Sequence, residues 1–353
     1  PGGRKRKRPR ERRKAEAEED LGGPSADRLC VNGYWWLIDA LLEGGLDGCI
    51  RYNSTVRAVE SYEGGVRVKF NTWEPPAGEA SAQALDADFV VCTLPLGVLK
   101  GAHEESRVAF HPPLSRAKLE AVAKVGMGSE NKVVLRFREE DVFWPDAPYF
   151  MTVDMRWRLL NLHFYGHRGV LVAHGQPPFS RGWRGLDDDA LVSQLTDLLR
   201  AMFKLEAAPQ PVEHLVTRWD ADPFAGGSYS FFAVGSRPEM AHNLAACEGL
   251  QDELRVYFAG EACSVDGHQC VHGAYGTGLL AAEGILERLA LGSGPPSFGY
   301  GVTDPNQEAN YVQCDTCQAW RIVPAVIPLG ELRGATWTCA DASWARYECR
   351  RPE

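Results

Sequence analysis

The chain has 353 residues, 44% hydrophobic and 10% aromatic, which excludes a disordered polymer and leaves room for two or three packed domains. No stretch reads as a membrane span or a signal peptide. The net charge of −9 hides an uneven distribution: residues 4–14 (RKRKRPRERRK) hold nine Lys/Arg and one Glu, so the rest sets 29 basic against 46 acidic residues, a balance of about −17. An acidic body suits a cationic substrate such as an amine or a basic peptide, and equally suits plain solubility.

In chain order, the basic run reads as a solvated tail, or as a nuclear-import or nucleic-acid patch. Glu16, Glu18, Glu19 and Asp20 follow as an acidic linker ending in Gly22-Gly23-Pro24. Pro1 in place of Met suggests a fragment or an incomplete gene product. Residues 34–42 have the spacing of an amphipathic helix, stopped by Gly44-Gly45. Residues 50–59 and 66–70 alternate as strands, joined through Glu63-Gly64-Gly65 in a hairpin signal. Residues 87–94 (ADFVVCTL) are nearly all apolar and predict a strand buried on both faces. A helix is expected over 114–125 and a strand over 131–137. Two strands are expected over 159–174 around Gly166-His167-Arg168-Gly169, then a helix over 187–203 with an acidic start. Residues 212–219 and 228–234 look extended, and 292–305 (GSGPPSFGYGVTDP) form a linker. The organisation expected is a tail over 1–27, a mixed α/β body over 28–291, a linker over 292–308 and a small module over 309–353, without internal repeats.

The densest chemical signal lies at residues 256–284, VYFAGEACSVDGHQCVHGAYGTGLLAAEG. A short apolar strand runs into Gly260-Glu261. After a polar loop, Val271-His272-Gly273-Ala274-Tyr275 leads to a small-residue helix expected to start near Gly276 and Gly278. Such an arrangement aims backbone amides and a helix N-terminus at an anionic group, and its glycines let a flat ligand lie against the main chain. Three further blocks join it. Residues 91–100 (VCTLPLGVLK) are a strand end with a Pro/Gly turn. Asn131-Lys132-Val133-Val134-Leu135 sets a lysine at the start of an apolar strand, which is costly unless the ammonium is bonded. Residues 218–230 carry aromatic residues around a glycine turn.

Together these blocks resemble the flavin amine oxidases over roughly residues 30–290. CTLPLGVLK (92–100), NKVVL (131–135) and FWPD (143–146) resemble the lysine-specific histone demethylase branch more than the polyamine oxidases. The resemblance implies an amine-oxidase-type two-domain body holding FAD. It further implies a nuclear enzyme that oxidatively demethylates mono- and dimethyl-lysine on histone tails or other methylated basic peptides, with chromatin co-regulators as partners and no membrane. The alternatives are a polyamine oxidase, or a non-catalytic chromatin-binding protein on a degenerate oxidase scaffold. Position by position, the resemblance implies that Lys132 holds a water against flavin N5 and that Glu261 bonds the ribose or ribityl region. Cys270 and Val271 would lie beside the isoalloxazine, and Val56, Thr93, Leu94 and Pro95 would contact adenosine and flavin. Trp219, Phe224 and Tyr229 match the aromatic wall where the amine enters, Phe224 also being counted with the cofactor contacts. The plain structural rivals are a strand-edge role for Lys132 and core packing for Tyr229 and Trp219.

This sequence departs from the family at its start. The expected G-x-G-x-x-G is not found, since Gly126-Met127-Gly128 lacks the third glycine and follows a helix. The dinucleotide half is therefore expected to be missing, and this chain to bind FAD poorly on its own. Ala262-Cys263 and Cys270 also replace residues that are usually polar in the family.

Of ten cysteines, Cys314, Cys317, Cys339 and Cys349 cluster at the end with the count and spacing of a tetrahedral Zn2+ site. Two disulfides would fit an intracellular chain poorly, and so short a module needs a metal staple. The surrounding text, from Tyr311 through Trp320-Arg321 to Trp337, resembles the CW-type zinc finger. That resemblance implies a methyl-lysine cage at Tyr311 and Trp320, although Tyr311 stands where a tryptophan is usual, and a purely structural or docking finger remains open.

Overall fold

The computed structural model describes residues 29–30, 33–42, 46–73, 80–207, 209–251, 253–291, 310–313, 320–323 and 338. The basic run, the acidic linker, the linker over 292–308 and the cysteines at 314, 317, 339 and 349 lie outside the described residues. The body is mixed α/β, and its described residues fall into two compact units. One comprises those up to Thr55 with Thr72–Ser81 and Asn131–Thr217; the other comprises Val56–Asn71, Ala82–Glu130 and those from Arg218 onward.

Helix α1 (Trp35–Leu42) forms where the spacing predicts it, but none of its residues is buried, so its amphipathic pattern meets no core among the described residues. The expected hairpin is β1 (Ser54–Tyr62) and β2 (Gly65–Trp73), and its turn works because Gly64 adopts φ 86°, a conformation open to glycine. A third strand, β3 (Ala80–Ala87), extends this sheet. The apolar run at 87–94 does not make one buried strand. Asp88 separates β3 from β4 (Val90–Cys92), which belongs to a different sheet, and Val91 is exposed. After the short helix α2 (Leu96–Leu99), β5 (Ala109–His111) pairs in parallel with β1.

Helix α3 (Arg116–Lys124) starts at Ser115, whose hydroxyl accepts from Lys118 N, and precedes β6 (Gly126–Met127). Two lysines close helix ends here. Lys100 Nζ donates to the last carbonyls of α3, Val122 and Ala123. Lys118 is fully buried, lies 3.7 Å from the centroid of the Phe258 ring, and donates to Asn243 O (3.1 Å) and Leu244 O (2.5 Å).

The first unit is built on a five-stranded antiparallel sheet in the order β11-β7-β10-β9-β8. Its strands are β7 (Asn131–Arg136), β8 (Tyr149–Met151), β9 (Trp157–Asn161), β10 (Val170–Gly175) and β11 (Glu213–Val216). Helix α4 (Asp188–Met202) begins at Asp187, whose carboxylate accepts from Ala190 N at 2.7 Å. It covers the sheet with Leu191, Leu195 and Leu199, spaced four apart and fully buried, each contributing about 1.5–3 kcal/mol. Phe143 and Trp144 of the FWPD block belong to this core. Trp144 Nε1 donates to Asn161 Oδ1 at 2.9 Å, and its ring meets Phe137 edge-on at 5.2 Å.

In the second unit β12 (Ser230–Phe231) pairs with β6, and helix α5 (Met240–Ala245) packs on α3. Strand β13 (Glu248–Leu250) pairs antiparallel with β14 (Glu253–Phe258), and β14 runs parallel to β4, with Val256 opposite Val90 and Phe258 opposite Cys92. Helix α6 (Val271–Leu291) starts about five residues before the predicted glycines. One side of it, Gly273, Thr277, Ala281 and Gly284, is small enough to sit close against β14, and Tyr257 Oη donates to Gly284 O at 3.2 Å. Strands β15 (Asn310–Gln313) and β16 (Trp320–Val323) form an antiparallel pair with Gln313 opposite Trp320.

Burial pulls the Lys118 ammonium down from 10.5 to about 8. The unfolded chain keeps that proton to higher pH, so between about pH 8 and 10.5 it binds more protons than the folded chain and stability rises with pH. The expected gain is about 3 kcal/mol for wild type relative to Lys118→Met across that window. Urea unfolding at stepped pH reads it, and parallel curves for the two proteins would refute the assignment.

Candidate active site

The parallel pair β4/β14 brings two of the predicted blocks together. Both strands end on the same edge, and Ala259 N donates to Cys92 O at 3.1 Å beyond the ladder. Thr93, Leu94 and Pro95 therefore leave β4 next to the Gly260-Glu261 turn that leaves β14. The space outside the carboxyl ends of parallel strands is where α/β sheets bind ligands. Gly260 sits at φ 142°, and a side chain placed there would meet no atom within 4 Å, so an open cradle faces the turn. Helix α6 returns its N-terminus to the same place. Thr277 Oγ1 accepts from Gly260 N (3.0 Å), and Gly273 lies so close to Gly267 that a methyl group would stand 1.9 Å from Gly267 O. Cys270 and Val271, at the helix entry, are exposed.

A third predicted block closes on the first. A methyl group on Gly97 would stand 2.2 Å from Ala225 O, so the turn after Pro95 touches the glycine turn of residues 222–228. That turn is held by Phe224 N donating to Asp222 Oδ1 (2.8 Å), Gly226 N to Asp222 O (2.8 Å) and Gly227 N to Trp219 O (2.9 Å). Trp219 and Phe224 are exposed on it, while Tyr229 is half-buried and donates from its hydroxyl to Glu130 Oε2 at 2.6 Å. Leu94 and Val56 pack against the hydrophobic core of this unit.

Glu261 is tightly held. Its carboxylate accepts from Ser230 N (3.1 Å), Ser230 Oγ (2.7 Å) and Gln269 N (2.9 Å). Ser230 Oγ also contacts His268 Nε2 at 3.0 Å, and the His268 ring stacks on Phe232 at 4.0 Å. Behind the turn, burial pushes the Cys263 thiol up to about 12 and raises that of Cys92, so both stay protonated and unreactive.

Lys132 lies in the first unit, at the start of β7, and is described there. Its N–H donates to Thr217 Oγ1 (2.8 Å) and its carbonyl accepts from Thr217 N (2.9 Å). The side chain is half-buried, and among the described residues no hydrogen bond reaches its ammonium, which leaves it open to hold a water or a ligand. Of the module's predicted residues, Tyr311 lies in β15 opposite Ile322 and Trp320 begins β16, while the four cysteines fall outside the described residues.

The sequence reading missed Ser230, His268, Glu130 and Thr277. Each acts by contacting a residue far away in sequence, and no local pattern marks it. The open cradle at Gly260, the small-residue helix entry and the held carboxylate fit the ring and ribityl end of a flavin dinucleotide. No G-x-G-x-x-G for its pyrophosphate occurs in the 353 residues.

Comparison with known proteins gives the family. Residues 13–286 match the family described as flavin containing amine oxidoreductase, and residues 310–353 match the CW-type zinc finger. FAD is the cofactor that goes with the first match and zinc the ion that goes with the second. The chain is 36% identical over 274 residues to polyamine oxidase 4 of Oryza sativa subsp. japonica, covering 76% of this chain and 51% of that protein. It is 36% identical over 295 residues to a possible lysine-specific histone demethylase 1 of Drosophila melanogaster (77% and 32%). It is 31% identical over 278 residues to the protein FLOWERING LOCUS D of Arabidopsis thaliana (76% and 32%). The chain thus spans between a third and a half of the length of these curated relatives. The fold is similar to that of cyclohexylamine oxidase from Brevibacterium oxydans IH-35A, with a TM-score of 0.52 and 20% identity over 67% of this chain and 48% of that one.

Proposed function

The chain belongs to the flavin containing amine oxidoreductases, and from that premise we propose that it serves oxidative demethylation of mono- and dimethyl-lysine on histone tails in the nucleus, its CW-type finger binding chromatin. The observation that carries this reading is the adjacency of Tyr229 and Ser230. Tyr229, assigned here to the aromatic wall, immediately precedes Ser230, which holds Glu261 by two hydrogen bonds, so the proposed amine and cofactor sites meet at adjacent residues.

When bound, FAD supplies the acceptor for a hydride from the carbon beside an uncharged amine. The chain's own residues do the rest. Trp219, Phe224 and Tyr229 attract a methylammonium through their ring faces and exclude water from it. Hydrogen bonding to Glu130 leaves the Tyr229 ring richer in electrons and a better partner for a cation. By the family resemblance Lys132 would hold a water against flavin N5, and Glu261 and the α6 N-terminus would fix the cofactor's polar end. Around the module, Cys314, Cys317, Cys339 and Cys349 hold the zinc, and Tyr311 and Trp320 are its methyl-lysine contacts.

A lone pair on nitrogen is required, so trimethyl-lysine peptides should release no peroxide, whereas mono- and dimethyl peptides should. Equal release from all three would refute the mechanism. A polyamine oxidase is the second reading, favoured by the Glu130 carboxylate beside the aromatic wall, which suits a substrate with several positive charges. Spermine turned over with a kcat/KM above that for dimethyl-lysine peptide would decide for it.

A further inference from the structure

We propose that Glu261, Ser230 and His268 form a one-proton relay leading from a surface loop to the acid of the Gly260-Glu261 turn. The number of hydrogens each group can give decides the arrangement. The carbonyl of Ser264 can only accept, so its 3.1 Å contact with His268 Nδ1 places a proton on Nδ1. Ser230 Oγ lies 2.7 Å from Glu261 Oε2 and 3.0 Å from His268 Nε2, and a hydroxyl has one proton to give. When that proton goes to a Glu261 carboxylate, the His268 contact is a bond only if Nε2 carries its own proton, which makes the ring an imidazolium. When it goes to Nε2, the Glu261 contact is a bond only if Glu261 is a carboxylic acid. Both arrangements contain the same protons and have no net charge. They interconvert by two short proton shifts through Ser230, with no heavy atom leaving its place.

The surroundings favour such a relay. Ser230 is fully buried, so water cannot replace it as the bridge, while His268 is half-buried and reaches the loop surface. Stacking on Phe232 holds the imidazole plane, and the amides of Ser230 and Gln269 hold the carboxyl. The other titratable groups nearby are Asp266 on the same loop, Cys263 beside Glu261, His242 on α5 and His272 at the start of α6.

The consequence rests on the reading above, in which Glu261 contacts the cofactor. Negative charge arriving on a group held at this turn draws the proton from His268 towards Glu261, and its departure sends the proton back. Ser230 and His268 are then positioning residues that act through Glu261.

The test uses the full 353-residue chain with 15N-labelled histidine, first without FAD. His268 is assigned by its loss in His268→Gln. Long-range proton–nitrogen correlation should show a protonated Nδ1 and an Nε2 resonance lying between those of a neutral ring and an imidazolium. Glu261→Gln and Ser230→Ala should each move Nε2 to the neutral position; if one variant fails to fold, the other decides. A bare Nδ1 in wild type, or an Nε2 that neither variant moves, overturns the relay. With FAD added to saturation and then reduced by dithionite, Nε2 should shift towards the neutral position. An unmoved Nε2 in a sample with full flavin absorbance overturns the compensating role alone. A sample that takes up no FAD overturns the compensating role in this 353-residue chain, in line with its missing G-x-G-x-x-G, while the result without FAD still decides the relay.

Discussion

Gly273→Ala is expected to destabilise the chain by about 3 kcal/mol or more, because the new methyl meets Gly267 O at 1.9 Å and Gly267 C at 2.5 Å. Both are main-chain atoms at the neck of a tight loop, so no flexible side chain can give way. The crossing of Gly267 and Gly273 is what delivers the α6 N-terminus to the Gly260-Glu261 turn, so the damage should fall on cofactor retention as well as on stability. Gly276→Ala, one turn further along the helix, meets nothing within 4 Å and should be neutral or stabilising by up to about 1 kcal/mol. Urea unfolding of the pair gives the comparison. A Gly273→Ala protein within 1 kcal/mol of wild type would show that the loop can relax.

The second large effect is expected at Lys132. In the FAD-loaded protein, Lys132→Met should lower kcat by at least about 100-fold, the usual worth of a group that orients a reacting water or moves a proton. KM should change by less than about threefold, and flavin absorbance should be retained. Methionine keeps the length and apolar stem of the lysine, and β7 should persist because its ladder contacts with β10 and β11 are made by backbone. A kcat within tenfold of wild type would return Lys132 to the role of a strand-edge residue.

How far the sequence spoke for the fold depended on how local each signal was. The β1/β2 hairpin was legible because two alternating runs flank a Gly-Gly turn, and α4 because an acidic start leads into leucines four apart. Strand β3 escaped notice. Its ASAQALDA has no β-branched or aromatic residue, and pairing with β2, not propensity, makes it a strand. Strand β4 was overdrawn for a related reason, since an apolar run does not reveal that Asp88 divides it between two sheets. At the site, Glu261 stood out through its position after a strand and a glycine, yet Ser230 and His268, which hold it, stood out through nothing. FWPD was legible as a family signature, and its physical role is packing, with Phe143 and Trp144 inside the aromatic core of the first unit.

The distribution of tryptophan has a consequence for how this protein can be watched. Trp144, Trp157 and Trp183 are at most 5% exposed, while Trp35, Trp36, Trp73 and Trp219 are all above 40%. These seven indoles thus form two optical populations, a blue-shifted one sealed in the first unit and a red-shifted one open to dissolved iodide. Iodide would silence the second and leave the first as a reporter of that unit's integrity. Within the quenchable light, Trp219 is the indole on the proposed aromatic wall, so under that proposal an amine arriving there would dim a signal that the buried trio does not share.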